Sequence, residues 1–222
     1  MQNEYDLLIV GAGPVGCVVA EQAAKLKGWK CLIIDKRDHI AGNCYDRIHE
    51  SGVLIHQYGP HYFRSNKKTL IDYLGQFTDW IPGNYEVRSS YNEELYPFPI
   101  NLLTLGQFFK REFTAEEAEA YLEGIRIPND NPANSEEFVL SRVGQELYEA
   151  FYLNYTLKQW EMHPTDLNKS VCGRIPLRFN KDIRYVDHEY QVTPKEGFTK
   201  MFGRMIENPL IDVQLETGFE DI

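Results

Sequence analysis

The feature that most constrains this chain lies near its start, in the run YDLLIVGAGPVGCVVAEQAAKLKGWKCLIIDKRDHIAGN. Tyr5–Val10 is an apolar, strand-like stretch that stops at Gly11. Val15, Val18, Val19, Ala23 and Leu26 then recur at helical spacing, which predicts a helix over 14–27 ended by Gly28. Lys30–Ile34 predicts a second buried strand closing at Asp35. Between the first strand and the helix, Gly11-Ala12-Gly13-Pro14-Val15-Gly16 fits GxGxxG. The first glycine permits a tight turn, the second lets backbone approach a pyrophosphate, and the third lets helix and strand pack closely. Free N–H groups at the helix start face the phosphates. Asp35 stands where a carboxylate accepts hydrogen bonds from an adenosine ribose.

The motif alone leaves FAD and NAD open. Directly after Asp35 comes KRDHIAGNCYD, in which Gly42 and Asn43 suit a loop lying along a flavin's diphosphate and ring. A nicotinamide enzyme more often continues straight into another crossover helix. The spacing therefore favours FAD, held by Gly11, Gly13, Pro14, Val15, Gly16, Asp35, Lys36, Gly42 and Asn43.

The rest of the chain sets limits on partners and architecture. At 43% hydrophobic and 25% charged, 222 residues sustain a packed core, and a net charge of -10 argues against nucleic acid. Cys17, Cys31, Cys44 and Cys172 form no CxxC pair, so neither a metal site nor a disulfide framework is expected, and the protein reads as cytoplasmic. The N-terminus lacks the basic region of a signal peptide, and no window has the apolar length of a membrane span. Residues 36–66 read as irregular with one strand around Val53–His56, followed by a helix at Leu70–Phe77 and a hairpin turning at Asn92-Glu93. From Leu102 to Trp160 the pattern is helical, with a capping box at Thr114 and Glu117 and a second helical stretch over Glu136–Leu157. Residues 161–184 read as loop, and the end returns to strand, helix and strand at Tyr190–Val192, Phe198–Glu207 and Ile211–Glu216. The fold class is thus α/β: a Rossmann-like FAD-binding domain with an inserted helical domain and a short antiparallel β element. The expected boundaries are 1–83 for the FAD-binding part, 84–100 for the hairpin, 101–184 for a helical substrate-binding insert and 185–222 for the return.

The stretches DKRDHIAGNCYD, IHQYGPHYFRSN, LYPFPINL, LYEAFYLNYTLKQW, GRIPLRF and YQVTPKEGFTKMF, in that order, resemble the UDP-galactopyranose mutase family. The YTLKQW and RIPLRF pair is the most specific part of that resemblance. It implies a flavin-dependent isomerase interconverting UDP-galactopyranose and UDP-galactofuranose, active only with reduced FAD, through an adduct between flavin N5 and the sugar. His61 matches the family's histidine beside the flavin, with Tyr62 next to it. Arg174 matches the arginine of a mobile loop that contacts the UDP diphosphate, where a guanidinium meets the charge on the departing phosphate. Phe151 and Tyr155 match residues packing on uracil, although their helical spacing alone reads as core. Trp160 matches the start of the mobile loop, Gln159 accompanies it, Tyr185 matches a phosphate-contacting tyrosine, and Asn84 is expected to reach the sugar. Arg178 and Arg184 read as solvated surface charge.

The chain departs from the family pattern at Ala41, where a glycine is usual, at Pro60 and Arg64, and at Asp35, where the acid is usually glutamate. Family members are also considerably longer. Their further part supplies a second phosphate-binding arginine, substrate tyrosines and a late glycine motif. That difference implies a truncated form or one that pairs with another chain, either a second copy or a complementing one. The alternative is a non-catalytic fragment that binds nucleotide or UDP-sugar.

Overall fold

A computed structural model describes residues 4–83 and 85–222, so Asn84, expected to reach the sugar, lies outside the described residues. The chain divides after Gly83 and again after Asp187 into two compact units, the first built from both ends of the sequence.

The opening βαβ forms where the periodicity places it: β1 (Leu7–Val10), α1 (Pro14–Lys27) and β2 (Cys31–Ile34). Gly28 ends α1 in the left-handed conformation, its N–H turned back to the carbonyls of Ala23 and Ala24. Beyond it come β3 (Asp46–Ile48), β4 (Leu54–His56), β5 (Phe63–Ser65), α2 (Lys68–Leu74) and β6 (Trp80–Pro82). The stretch expected to be irregular with one strand therefore carries three. Strands of three residues offer too few alternations to register as a period.

The second unit opens with the hairpin β7 (Val87–Tyr91) and β8 (Glu94–Phe98), turned at Asn92 and Glu93, both left-handed. Its helices are α3 (Leu102–Phe108), α4 (Ala115–Ile125), α5 (Ser135–Tyr148), α6 (Asn154–Trp160) and α7 (Ser170–Gly173). Thr114 and Glu117 cap α4 reciprocally, as their spacing predicts. The continuous helix expected over 136–157 is broken twice. Gly144 has φ 77, and a Cβ there would lie 2.5 Å from the Ile125 carbonyl oxygen. Glu149–Leu153 then form a π-helical turn between α5 and α6. The hairpin shares the helical core, with Tyr96 and Phe98 buried among Leu105, Leu122, Val143 and Phe151.

The chain returns to the first unit as β9 (Tyr190–Pro194), α8 (Phe198–Met205) and β10 (Ile211–Gln214). A parallel sheet runs β1-β2-β10, with Leu7 and Ile211 both in register with Cys31, and β9 lies between β5 and β6 in a second sheet. Ile9, Cys17, Ala20 and Ile33 pack with Phe198, Met201, Phe202 and Met205 of α8 in one core.

A buried carboxylate ties the two ends of this unit together. Asp46 is 3% exposed, and its oxygens accept the N–H groups of Phe198 (2.6 Å) and Thr199 (2.9 Å) at the start of α8. The Asp46 N–H in turn donates to Thr199 Oγ1 at 2.9 Å. Asp46→Ala strands these donors, and we expect it to cost about 2 kcal/mol. The urea midpoint of the unit should fall accordingly; an unchanged midpoint would show that α8 docks by its apolar face alone.

Candidate functional site

In the first unit the glycine turn and the loop after β2 meet beneath a cleft of about 650 Å³. Gly11, Gly13, Pro14, Asp35, Lys36, Gly42 and Asn43 line it, seven of the residues the sequence singles out for a cofactor. Gly13 and Gly42 approach so closely that a Cβ on Gly42 would lie 3.0 Å from the Gly13 Cα. The floor is therefore bare backbone, which a diphosphate needs if it is to approach peptide N–H groups. Asp35, 9% exposed, accepts the Ala12 N–H at 2.8 Å and the Arg37 N–H at 2.9 Å, one on each oxygen. A carboxylate has four acceptor sites, so capacity remains for ribose hydroxyls. These residues fit a dinucleotide.

Gly16 sits below the cleft, where a Cβ would fall 2.0 Å from the Gly11 carbonyl oxygen. Its role is the close seating of α1 on β1. Ala41 adopts φ 70 and donates its N–H to Ala12 O at 2.8 Å. An alanine thus occupies a left-handed position where the resembling family usually has glycine, at a cost of about 1 kcal/mol.

Val15, His61 and Tyr62 line a separate apolar groove in the same unit, which shares Pro14 and Cys44 with the cleft. The His61 ring is 2.9 Å from the Gly59 carbonyl through Nδ1, which must therefore carry the proton. Burial, and then the charge of Asp46, push the Cys44 thiol up. Burial pushes that of Cys17 up to about 12.

Arg37 was not singled out in the sequence, yet it belongs to the cleft. Its guanidinium donates to Asn43 Oδ1 at 2.9 Å and lies 5.0 Å from the Tyr58 ring centroid. His39 stacks on Tyr45 at 3.8 Å and is 2.8 Å from Tyr58 Oη, so this side of the loop is braced by aromatic contacts. Thr217, Gly218, Phe219 and Glu220 also line the cleft. No local motif marks them; they arrive because Glu216 and Thr217 donate their N–H groups to the carbonyls of Arg37 and Asp35.

The second unit holds its own cleft, about 510 Å³, between the hairpin and the π-helical turn. Phe151, Tyr155 and Tyr185 line it together with Ser89, Asn154 and Lys158. Phe151 is 2% exposed and Tyr155 45%, so one ring is wall and the other is free to cover a ligand. π-Helical turns frequently accompany functional sites, and this one, Glu149–Leu153, carries Phe151. Gln159, Trp160 and Arg174 are exposed and lie outside this cleft, and Arg174 Nε donates to the Val171 carbonyl at 3.1 Å. Arg178 is not surface charge: its side chain is 6% exposed and its guanidinium binds the Arg184 carbonyl and Asp187. Arg184 pairs with Asp182 and holds that carboxyl down at about 2. Among the described residues no group of three or more His, Cys, Asp or Glu could hold a metal ion, and no helix is long and apolar enough to cross a membrane.

Comparison with known proteins places these features. A family model for NAD(P)-binding Rossmann-like domains matches residues 9–77, and one for UDP-galactopyranose mutase matches residues 150–222. The crystal structure of a reduced UDP-galactopyranose mutase superposes with a TM-score of 0.71 at 17% identity, covering 95% of this chain and 49% of that one. The probable UDP-galactopyranose mutase of Klebsiella pneumoniae is 39% identical over 98% of this chain and 57% of its own length. The dTDP-fucopyranose mutase of Escherichia coli is 34% identical over 94% of this chain and 56% of its own. Fold and cleft together define a Rossmann-type dinucleotide-binding protein with an inserted helical unit. Over the part of its relatives' length that it spans, the chain is similar to the UDP-galactopyranose mutase family. It spans about half the length of the curated relatives it matches.

Proposed function

We propose that this chain is the FAD- and nucleotide-binding portion of a flavin-dependent UDP-galactopyranose mutase, interconverting UDP-galactopyranose and UDP-galactofuranose. The observation that carries this reading is the bare Gly13–Gly42 floor beside the Asp35 carboxylate, under the start of α1. Gly11 and Gly13 bring the backbone of the turn to a diphosphate at the start of α1, Asp35 accepts from the ribose, and Arg37, held by Asn43, adds positive charge at the rim. When bound, the reduced flavin would supply the nucleophile for the sugar's anomeric carbon. In the helical unit, Phe151 and Tyr155 sandwich the base, while Tyr185 and Lys158 stand ready for phosphate. Arg174, exposed on its loop, meets the diphosphate charge as the anomeric bond breaks. Relatives named for a UDP-sugar and a dTDP-sugar match over this stretch, which is consistent with a cleft around Phe151 and Tyr155 that takes a pyrimidine base.

The test is retention of flavin. The chain, mixed with FAD and desalted, should keep a visible flavin absorption band. Asp35→Ala should weaken FAD at least tenfold, about 1.4 kcal/mol, while leaving UDP affinity unchanged. A colourless wild-type chain that still binds UDP would favour the nucleotide-binding fragment. Equal FAD retention by Asp35→Ala would remove the ribose role.

A further inference from the structure

Among the described residues no helix or strand lies between Gly173, at the end of α7, and Tyr190, at the start of β9. That irregular segment nevertheless delivers Tyr185 to the cleft of the helical unit, whose other lining residues come from the hairpin, the π-helical turn and α6. Hydrogen bonds hold it there. The Arg178 N–H donates to the Ile100 carbonyl at 3.0 Å and the Leu102 N–H to the Asn180 carbonyl at 3.0 Å. Residues 178–180 are thereby docked on the buried chain that leads into α3. The Arg178 guanidinium, buried with its side chain, then donates forward to the Arg184 carbonyl and the Asp187 carboxylate. The Tyr185 N–H donates to the Tyr85 carbonyl at 2.8 Å. The Arg184 carbonyl and the Tyr185 N–H belong to one peptide group. That group is held at both ends, and because it is planar its orientation, and with it the Cα of Tyr185, is set.

We propose, on the reading of this cleft as the UDP site, that Arg178 is a positioning residue for the nucleotide, acting through Tyr185 without touching the ligand. A buried cation is costly unless its donors are used, and an uncharged side chain of similar shape would fill the same slot. Arg178 spends its planar fork on the two groups that flank Tyr185, a task that the single-point ammonium of a lysine performs poorly. Arg184 is not available for it, since its guanidinium is engaged by both oxygens of Asp182. Arg174, four residues earlier, is exposed and bonds locally to the Val171 carbonyl. The two arginines of GRIPLRF thus divide the work. Arg174 reaches for the diphosphate, and Arg178 keeps in place the ring that the diphosphate rests against.

The test is calorimetric titration of UDP into the 222-residue chain, into Arg178→Met, into Tyr185→Ala and into the double variant. Arg178→Met should weaken UDP about tenfold, the loss expected when hydrogen bonds from a charged group are removed. In the Tyr185→Ala background the same substitution should cost less than about twofold, because its effect passes through that ring. A merely structural role would cost the same in both backgrounds. Arg178→Lys keeps the buried charge and loses the fork, and it carries the same cycle where the methionine variant does not fold. In Arg178→Lys the Tyr185 amide should exchange hydrogen about tenfold faster while amides within α4 keep their rates. Three results would overturn the proposal: unchanged UDP affinity, equal losses with and without the Tyr185 ring, or unchanged exchange at the Tyr185 amide. A wild-type chain that binds no UDP would instead overturn the reading of the cleft, and the role of Arg178 with it.

Discussion

Gly16→Ala should unfold the first unit's turn at a cost of about 3 kcal/mol and abolish binding of any dinucleotide. The added methyl would fall 2.0 Å from the Gly11 carbonyl oxygen and 3.2 Å from Ile9 Cγ2. Neither can yield cheaply: one is backbone of the phosphate turn, and the other belongs to a buried residue of β1. Relief requires α1 to lift from β1, which also pulls Gly13 away from Gly42. Gly203→Ala in α8 is the control, because its methyl would meet only Ile40 Cδ1 at an ordinary 3.8 Å. That substitution should raise stability by about 0.5–1 kcal/mol through the helix preference of alanine. Chemical denaturation of the two variants measures the difference. If both move the midpoint alike, the third glycine of the motif has no packing role here.

Phe151→Ala should be the most damaging change in the helical unit, at about 3–5 kcal/mol. The ring is 2% exposed and lies 5.2 Å from Tyr96, 5.5 Å from Phe108 and 6.5 Å from Phe98, centroid to centroid. Its removal opens a cavity among side chains that pack tightly on one another. A fall in UDP affinity in this variant would therefore follow partly from lost structure. Tyr155→Ala separates the two effects, since that ring is 45% exposed and contributes little to the core. It should leave thermal stability within about 0.5 kcal/mol of the parent while weakening UDP about tenfold, the worth of one base–aromatic stack. Calorimetric titration of UDP into both variants reads this directly. Unchanged affinity in Tyr155→Ala would return the pair to a purely structural role.

The same two residues mark the border between what sequence and tertiary structure each decide. Helical spacing placed Phe151 and Tyr155 on one face and read both as core, which is true of the first only. The π-helical turn at Glu149–Leu153 breaks the register, and no periodic rule reports an extra residue in a turn. Arg178 shows the same limit, being a cation within a basic run that is buried with the Arg184 carbonyl and Asp187 as its partners. By contrast, the sequence alone determined β1, the glycine turn, α1, β2 and Asp35. Strand alternation, helical periodicity and the steric need for glycine all act over a few neighbouring residues and agree there. Tertiary structure alone decided that residues 217–220 complete the cleft, that Asp46 caps α8 from across the unit, and that β10 joins β2 in the parallel sheet. Each depends on which segments meet after long excursions of the chain, and that choice is made by shared burial, which leaves no mark in local pattern.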